Sequence, residues 1–82
     1  MGRLRPLSYR EFISIFQSFG FSVHDQRGSH IKLRRVAPNG EIQTLLVPAH
    51  AEIDKGTLVS IFRQACRYIN PTDLRPRFYF VD

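Results

Sequence analysis

The stretch Phe21-Ser22-Val23-His24-Asp25-Gln26-Arg27-Gly28-Ser29-His30-Ile31-Lys32-Leu33-Arg34-Arg35 decides the fold. Phe21, Val23 and Asp25 alternate with Ser22, His24 and Gln26, and further on Ile31 and Leu33 alternate with His30, Lys32 and Arg34. Successive side chains of a strand point to opposite faces, so this is the pattern of two strands, and Gly28-Ser29 between them reads as the turn of a hairpin. A three-residue loop keeps Val23 and Leu33 on one face, whether it runs from Gln26 to Gly28 with Gly28 left-handed or from Arg27 to Ser29. A two-residue loop would set apolar against charged positions. Both three-residue registers put His24, His30, Lys32 and Arg34 together on the opposite face, and in one of them His24 lies directly across the ladder from His30.

Upstream, Ser8-Tyr9-Arg10-Glu11 has the form of a capping box, with Leu7 and Phe12 placed for a hydrophobic staple. Phe12, Ile15, Phe16 and Phe19 then recur at helical spacing, Ile13 widens the stripe, and Gly20 offers a left-handed stop. The phenylalanines lie on one side of the helix and read as core rather than as a base-stacking platform. Downstream, Pro38-Asn39-Gly40 turns the chain into a third strand, Ile42 to Val47. A two-residue Asn-Gly turn would bury Ile42, Thr44 and Leu46, a longer loop Leu45 and Val47, and the spacing leaves both open. Pro48 ends the strand. A second helix begins near Asp54, buries Leu58, Ile61, Phe62, Ala65 and Ile69, and stops at Asn70-Pro71. The run Leu74 to Val81 is neither clearly helical nor low in complexity; a fourth strand, a flap over the core and a subunit contact are its alternatives, with packing on its own domain preferred.

The 82 residues allow one domain and one modest core, with no room for a separate cofactor domain, so residues 1–82 are expected to fold as a unit, core about 8–70 and C-terminal extension 71–82. Twelve Lys and Arg against seven Asp and Glu give a net charge of +5, which favours a polyanionic partner. The bland alternative is a solvated basic surface. A single cysteine, Cys66, excludes an intramolecular disulfide and a multi-thiolate metal site, and its apolar helical setting makes it a packing residue. No apolar run is long enough to span a membrane, and neither a signal-peptide nor a myristoylation pattern is present, so a soluble cytoplasmic protein is expected.

Chemistry concentrates at Gly28-Ser29-His30. An imidazole moves protons near neutral pH while arginine and lysine hold phosphate, a combination suited to cleaving a phosphodiester, which makes RNA the first substrate to consider. His30 would take the proton of a ribose 2′-hydroxyl or give one to a departing 5′-oxygen. Ser29 would hold the ring or a phosphate oxygen, and Lys32 and Arg34 would neutralise charge developing at phosphorus. His24 is a supporting candidate on the same face. His50, just past Pro48, lies in a loop approaching the second helix, whose N-terminus Asp54-Lys55-Gly56-Thr57 has free amides, a cation and a glycine with which to cradle a phosphate. A plain N-cap by Asp54 explains that end equally well. His24, His30 and His50 lack the tight spacing of a zinc site, and no P-loop, dinucleotide fingerprint or Gly-x-Ser-x-Gly elbow occurs, so neither metal nor cofactor is expected.

Taken together, the first helix, Gly28-Ser29-His30, Val47-Pro48-Ala49-His50, Lys55-Gly56-Thr57-Leu58 and Ile61-Phe62-Arg63-Gln64-Ala65 resemble the HicA (YcfA-like) toxins of bacterial toxin–antitoxin pairs, over roughly Ser8 to Ala65. The resemblance implies an α+β fold like the double-stranded RNA-binding domain, α-β-β-β-α, with a three-stranded antiparallel sheet and two helices packed on one face. It also implies a ribosome-independent mRNA endoribonuclease of a type II system whose essential histidine is His30, held inactive by a HicB-like antitoxin. His50 falls on the second motif histidine. His24 is outside the family pattern, which speaks against a required pair of histidines, and the segment from Arg75 to Asp82 has no family counterpart. Two other functions compete with the toxin reading: a non-catalytic double-stranded RNA-binding module using the same basic face, and a protein-interaction domain docking through its aromatic tail, Phe78 to Val81.

Overall fold

The computed structural model describes residues 2–80, in the order α1 Tyr9–Ser18, β1 Ser22–Arg27, β2 His30–Val36, β3 Ile42–Pro48, α2 Lys55–Ala65 and α3 Pro71–Phe78. This is the expected α-β-β-β-α order with a third helix added. At the start of α1 the Ser8 hydroxyl accepts from the Glu11 amide at 3.3 Å and the Ser8 amide donates to Glu11 Oε1 at 3.0 Å, the reciprocal pair of a capping box. At its end Gly20 adopts φ +92°, its amide donates to the Gln17 carbonyl, and the Phe21 amide donates to that of Phe16. Those two bonds form a Schellman motif and release the chain into β1.

The sheet is antiparallel in the order β1-β2-β3. Its first hairpin corrects the expected loop: Arg27 pairs with His30, so the turn is only Gly28-Ser29. Gly28 has φ +57° and, among the described residues, no non-glycine residue has positive φ, so Ser29 does not, the sign pattern of a type II′ turn. The clash foreseen for so short a loop is removed by a β-bulge at His24. Beyond it the register returns to Val23 opposite Leu33 and Ser22 opposite Arg34, as the Arg27-to-Ser29 loop would have had it. An extra residue inside the strand does the work assigned to an extra residue in the turn.

The second hairpin resolves the register left open. Ala37 and Glu41 close a three-residue loop, Pro38-Asn39-Gly40, with Gly40 at φ +88° and its amide bonded to the Ala37 carbonyl, a type I turn followed by a left-handed glycine. Leu45 and Val47 therefore face inward and are fully buried, while Ile42 and Leu46 are exposed.

Ile31, Leu33, Leu45 and Val47 form the inner face of the sheet and share one core with Leu7, Phe12, Ile15 and Phe16 from the α1 region and Leu58, Ile61, Phe62 and Ala65 from α2. The segment after Asn70 is neither strand nor flap. Asn70 caps α3, Pro71 occupies its first turn, and Leu74 and Phe78 are fully buried. The Phe78 ring lies 5.2 Å from Phe12, 6.0 Å from Phe16 and 5.3 Å from Phe62, so this part of the aromatic tail packs on its own domain as preferred, while Phe80 is exposed. Backbone bonds from Arg5 to Phe78 and from Phe80 to Arg3, each 2.7 Å, pin the N-terminal segment alongside it. Val81 lies outside the described residues.

Arg35 carries charge that alternation along β2 assigns to the inner face. Its guanidinium donates to Gln43 Oε1 at 2.8 Å, to the Phe19 carbonyl at 2.8 Å and to the Tyr68 carbonyl at 3.0 Å, and stacks over Phe21 at 4.7 Å. One side chain thus joins the end of α1, β3 and the turn after α2. Cys66 caps the end of α2, half-buried, and burial pushes its thiol pKa up against a small opposing pull from Arg75.

Candidate functional site

Among the described residues no helix lies over the outer face of the sheet, and the register sets out its residues in rows. From β2 come His30, Lys32 and Arg34; across from them on β3 stand Pro48, Leu46 and Thr44, and on β1 Arg27, Asp25 and Ser22. His30 is exposed, so its ring is not enclosed in the apolar interior. Lys32 is exposed and Arg34 half-buried on the same strand face.

The turn carrying His30 is held from both sides. Arg27 pairs with His30 across the hairpin, and the Ala49 amide donates to the Ser29 carbonyl, fastening the turn to the chain that leaves β3. Here Ser29 contributes its backbone, and its side chain is exposed beside the ring's strand. That same exit segment continues to His50, whose carbonyl accepts from the Tyr9 amide at 3.3 Å, so the first turn of α1 is tied to this end of the sheet.

The bulge changes who faces His30. His24 is the extra residue at the register shift, without a partner in the ladder, and the residue across from His30 is Arg27. Asp25, expected beside Val23 on the inner side, instead pairs with Lys32 and makes an exposed ion pair with Arg27 at 3.4 Å. Arg27 and Asp25 are therefore site-face residues that alternation missed. A bulge leaves no mark in a period-two pattern, and only the Gly-led two-residue turn could have signalled it.

The N-terminus of α2 divides its residues. The Asp54 carboxylate accepts from the Thr57 amide at 2.9 Å, the plain N-cap geometry. Its bonds to Thr57 hold the Asp54 carboxyl below the ordinary carboxylate range, with burial opposing slightly and the charge of nearby His50 assisting. Lys55 lines a hollow with Arg3, Leu4, Tyr79 and Phe80, while Gly56 opens onto a different groove with Thr44 and Leu46. A Cβ on Gly56 would meet nothing within 4 Å, so the glycine leaves this end of the helix open. Among the described residues, no three of His, Cys, Asp and Glu gather closely enough to hold a metal ion.

The fold and this face define a small basic α+β domain that presents one imidazole, flanked by cationic side chains, from an uncovered antiparallel sheet. The sequence profile described as HicA toxin of bacterial toxin–antitoxin matches residues 9–65, most of the chain, and the protein belongs to that family. It is thus similar to the toxin halves of toxin–antitoxin pairs, for which a cognate antitoxin is the implied partner. No curated protein and no solved structure matches the chain. No helix among the described residues is long and apolar enough to cross a membrane.

Proposed function

We propose that this toxin is an endoribonuclease of the mRNA-interferase kind, acting in the cytoplasm without the ribosome or a metal ion, with His30 as its catalytic residue. The observation that carries the reading is an exposed imidazole at a tethered turn, in one row with Lys32 and Arg34 on a sheet face that no helix among the described residues covers. RNA lies across this face with the scissile phosphate against the β2 row. The 2′-oxygen forms a bond to phosphorus as the bond to the 5′-oxygen breaks. One proton leaves the 2′-hydroxyl and one is delivered to the 5′-oxygen; His30 handles one of these transfers and solvent the other. Lys32, Arg34 and the cross-strand Arg27 offset the negative charge that grows on the phosphoryl oxygens. Ser29, His50 and the Lys55-Gly56-Thr57 turn contact the flanking backbone, and His24 supports binding only. A HicB-like antitoxin is the expected inhibitor.

The test is cleavage of a single-stranded RNA by purified protein in the presence of a chelator. Removing a general acid–base group costs roughly 10²–10⁴-fold in rate, so His30→Ala should abolish detectable cutting while the thermal unfolding curve stays in place. The upstream product should carry a 2′,3′-cyclic phosphate, and a single 2′-deoxy substitution at the cut site should block the reaction. An alanine variant that cuts as fast as its parent removes His30 from the mechanism. Salt-sensitive RNA binding that survives His30→Ala, with no scission by either protein, would instead identify a non-catalytic RNA-binding module.

A further inference from the structure

The two outer strands of the sheet are protected in different ways. β1 is exposed along its whole length, but a bulge and the charged residues Asp25 and Arg27 make it a poor template for another strand. β3 is regular in its pairing with β2 from Ile42 to Pro48, with no bulge. The amide of Leu46 is satisfied by a side chain, donating to Gln64 Oε1 of α2 at 3.0 Å. In an antiparallel strand the residues two apart turn their N–H and C=O groups to the same side, so Thr44 shares the outward direction of Leu46. The edge therefore offers a strand-like row of donors and acceptors, closed at one point by a displaceable glutamine.

Beside this edge runs an open groove of about 510 Å³ between β3 and α2, lined by Thr44, Leu46, Val59, Ser60, Arg63 and Arg67 among others. Its apolar contribution is Val59 and the half-exposed Leu46, and exposed Ile42 lies further along the strand. Its charge comes from Arg63 and Arg67, both exposed and without an acidic partner within ion-pair distance among the described residues.

We infer that the β3 edge is a docking site for an extended acidic segment of a partner polypeptide, which adds as a fourth strand, takes the Leu46 amide from Gln64, and sets alternate carboxylates against Arg63 and Arg67. Main-chain bonds give such strand addition its affinity and alternate side chains its specificity. Charge selects the occupant. A second copy of this chain pairing β3 with β3 would bring the same patch against itself, arginines toward arginines. A nucleic acid would meet the outward carbonyls of Thr44 and Leu46 with its own phosphate oxygens and leave the apolar lining unused. The inference concerns β3 and α2 and stands whether or not His30 cleaves RNA.

The experiment uses the full chain, isotope-labelled for NMR, with three probes: a short synthetic peptide alternating glutamate with valine, the same peptide N-methylated on alternate amides, and a lysine–valine counterpart. The glutamate peptide should shift the Thr44, Leu46 and Gln64 side-chain signals and slow hydrogen exchange at the Thr44 and Leu46 amides. The N-methylated and lysine peptides should do neither. Arg63→Glu combined with Arg67→Glu should weaken binding roughly tenfold with the fold intact, and Gln64→Ala, which frees the Leu46 amide, should strengthen it. Three results would overturn the inference. One is no change at Thr44 and Leu46 even at saturating peptide. Another is an RNA oligonucleotide that displaces the peptide and whose own binding is lost in the Arg63→Glu, Arg67→Glu double variant, which would make the groove a nucleic-acid channel. The third is a dimer in solution whose Thr44 and Leu46 amides are protected before any peptide is added.

Discussion

Replacing Arg35 by methionine keeps the length and most of the apolar stem of the side chain while deleting the guanidinium. Three acceptors then lose their donor: the carbonyls of Phe19 and Tyr68 and the side chain of Gln43, itself nearly buried at 8% exposure. A hydrogen bond from a charged donor contributes about 1.5–3 kcal/mol, and leaving its buried partner unpaired is costly. Arg35 is half-buried and water can replace part of what is lost, so the loss falls below the roughly 4.5 kcal/mol of three such bonds at the low end, to about 3 kcal/mol. For a domain of this size that lowers the melting temperature by roughly 12–24 °C. Arg35→Lys should recover little, because one ammonium on a flexible stem cannot serve three acceptors arranged around a planar fork. Denaturant unfolding followed by circular dichroism measures both variants, and a cycle with Gln43→Met should return a coupling of about 0.5–3 kcal/mol. A loss below about 1 kcal/mol for Arg35→Met would show that the cluster around Arg35 is held by Phe21 and its neighbours, and the reasoning would fail.

Three further outcomes follow from the termini of the helices. Phe78→Ala removes a ring packed against Phe12, Phe16 and Phe62 and should destabilise the domain by about 3–5 kcal/mol, visible as a large fall in the denaturant midpoint. For the same reason, truncation before Pro71 should yield an unfolded or aggregating chain rather than a folded domain without its tail. Asp54 has a carboxyl pKa lowered by its bonds to Thr57, so its contribution to stability is present above the ordinary carboxylate value and is lost as the pH falls through the lowered folded value. Asp54→Asn should therefore flatten the acid end of a stability-against-pH curve, and an unchanged slope there would remove Asp54 from the acid transition.

Much of the candidate site could be read before any coordinates. His30, Lys32 and Arg34 share a face because β2 is a regular strand, and no packing detail can undo an alternation that follows from strand geometry. The composition of their surroundings could not be read in the same way. Asp25 and Arg27 reached that face, and His24 lost its place opposite His30, through one bulged residue whose position depends on which register buries Leu33 against the helices. The basic run Lys32-Leu33-Arg34-Arg35 also conceals two different charges. Arg34 faces the open side, while Arg35 is engaged by carbonyls of Phe19 and Tyr68, residues far away in the chain.

Local chemistry alone determined the capping box at Ser8, the Gly20 stop, the turn positions and the helical stripes, since each rests on interactions among residues a few positions apart. It also sufficed to mark Gly28-Ser29-His30 as the candidate site, where chemistry is proposed. The length of each hairpin loop, the inward side of β3, and the conversion of the C-terminal aromatics into a core helix were decided by tertiary structure. Each of those choices minimises the free energy of a single shared interior, in which Phe78 must fit between α1 and α2 and Leu45 and Val47 must lie beneath them. A local pattern specifies the period of an element; only the interior it shares with distant segments specifies its phase.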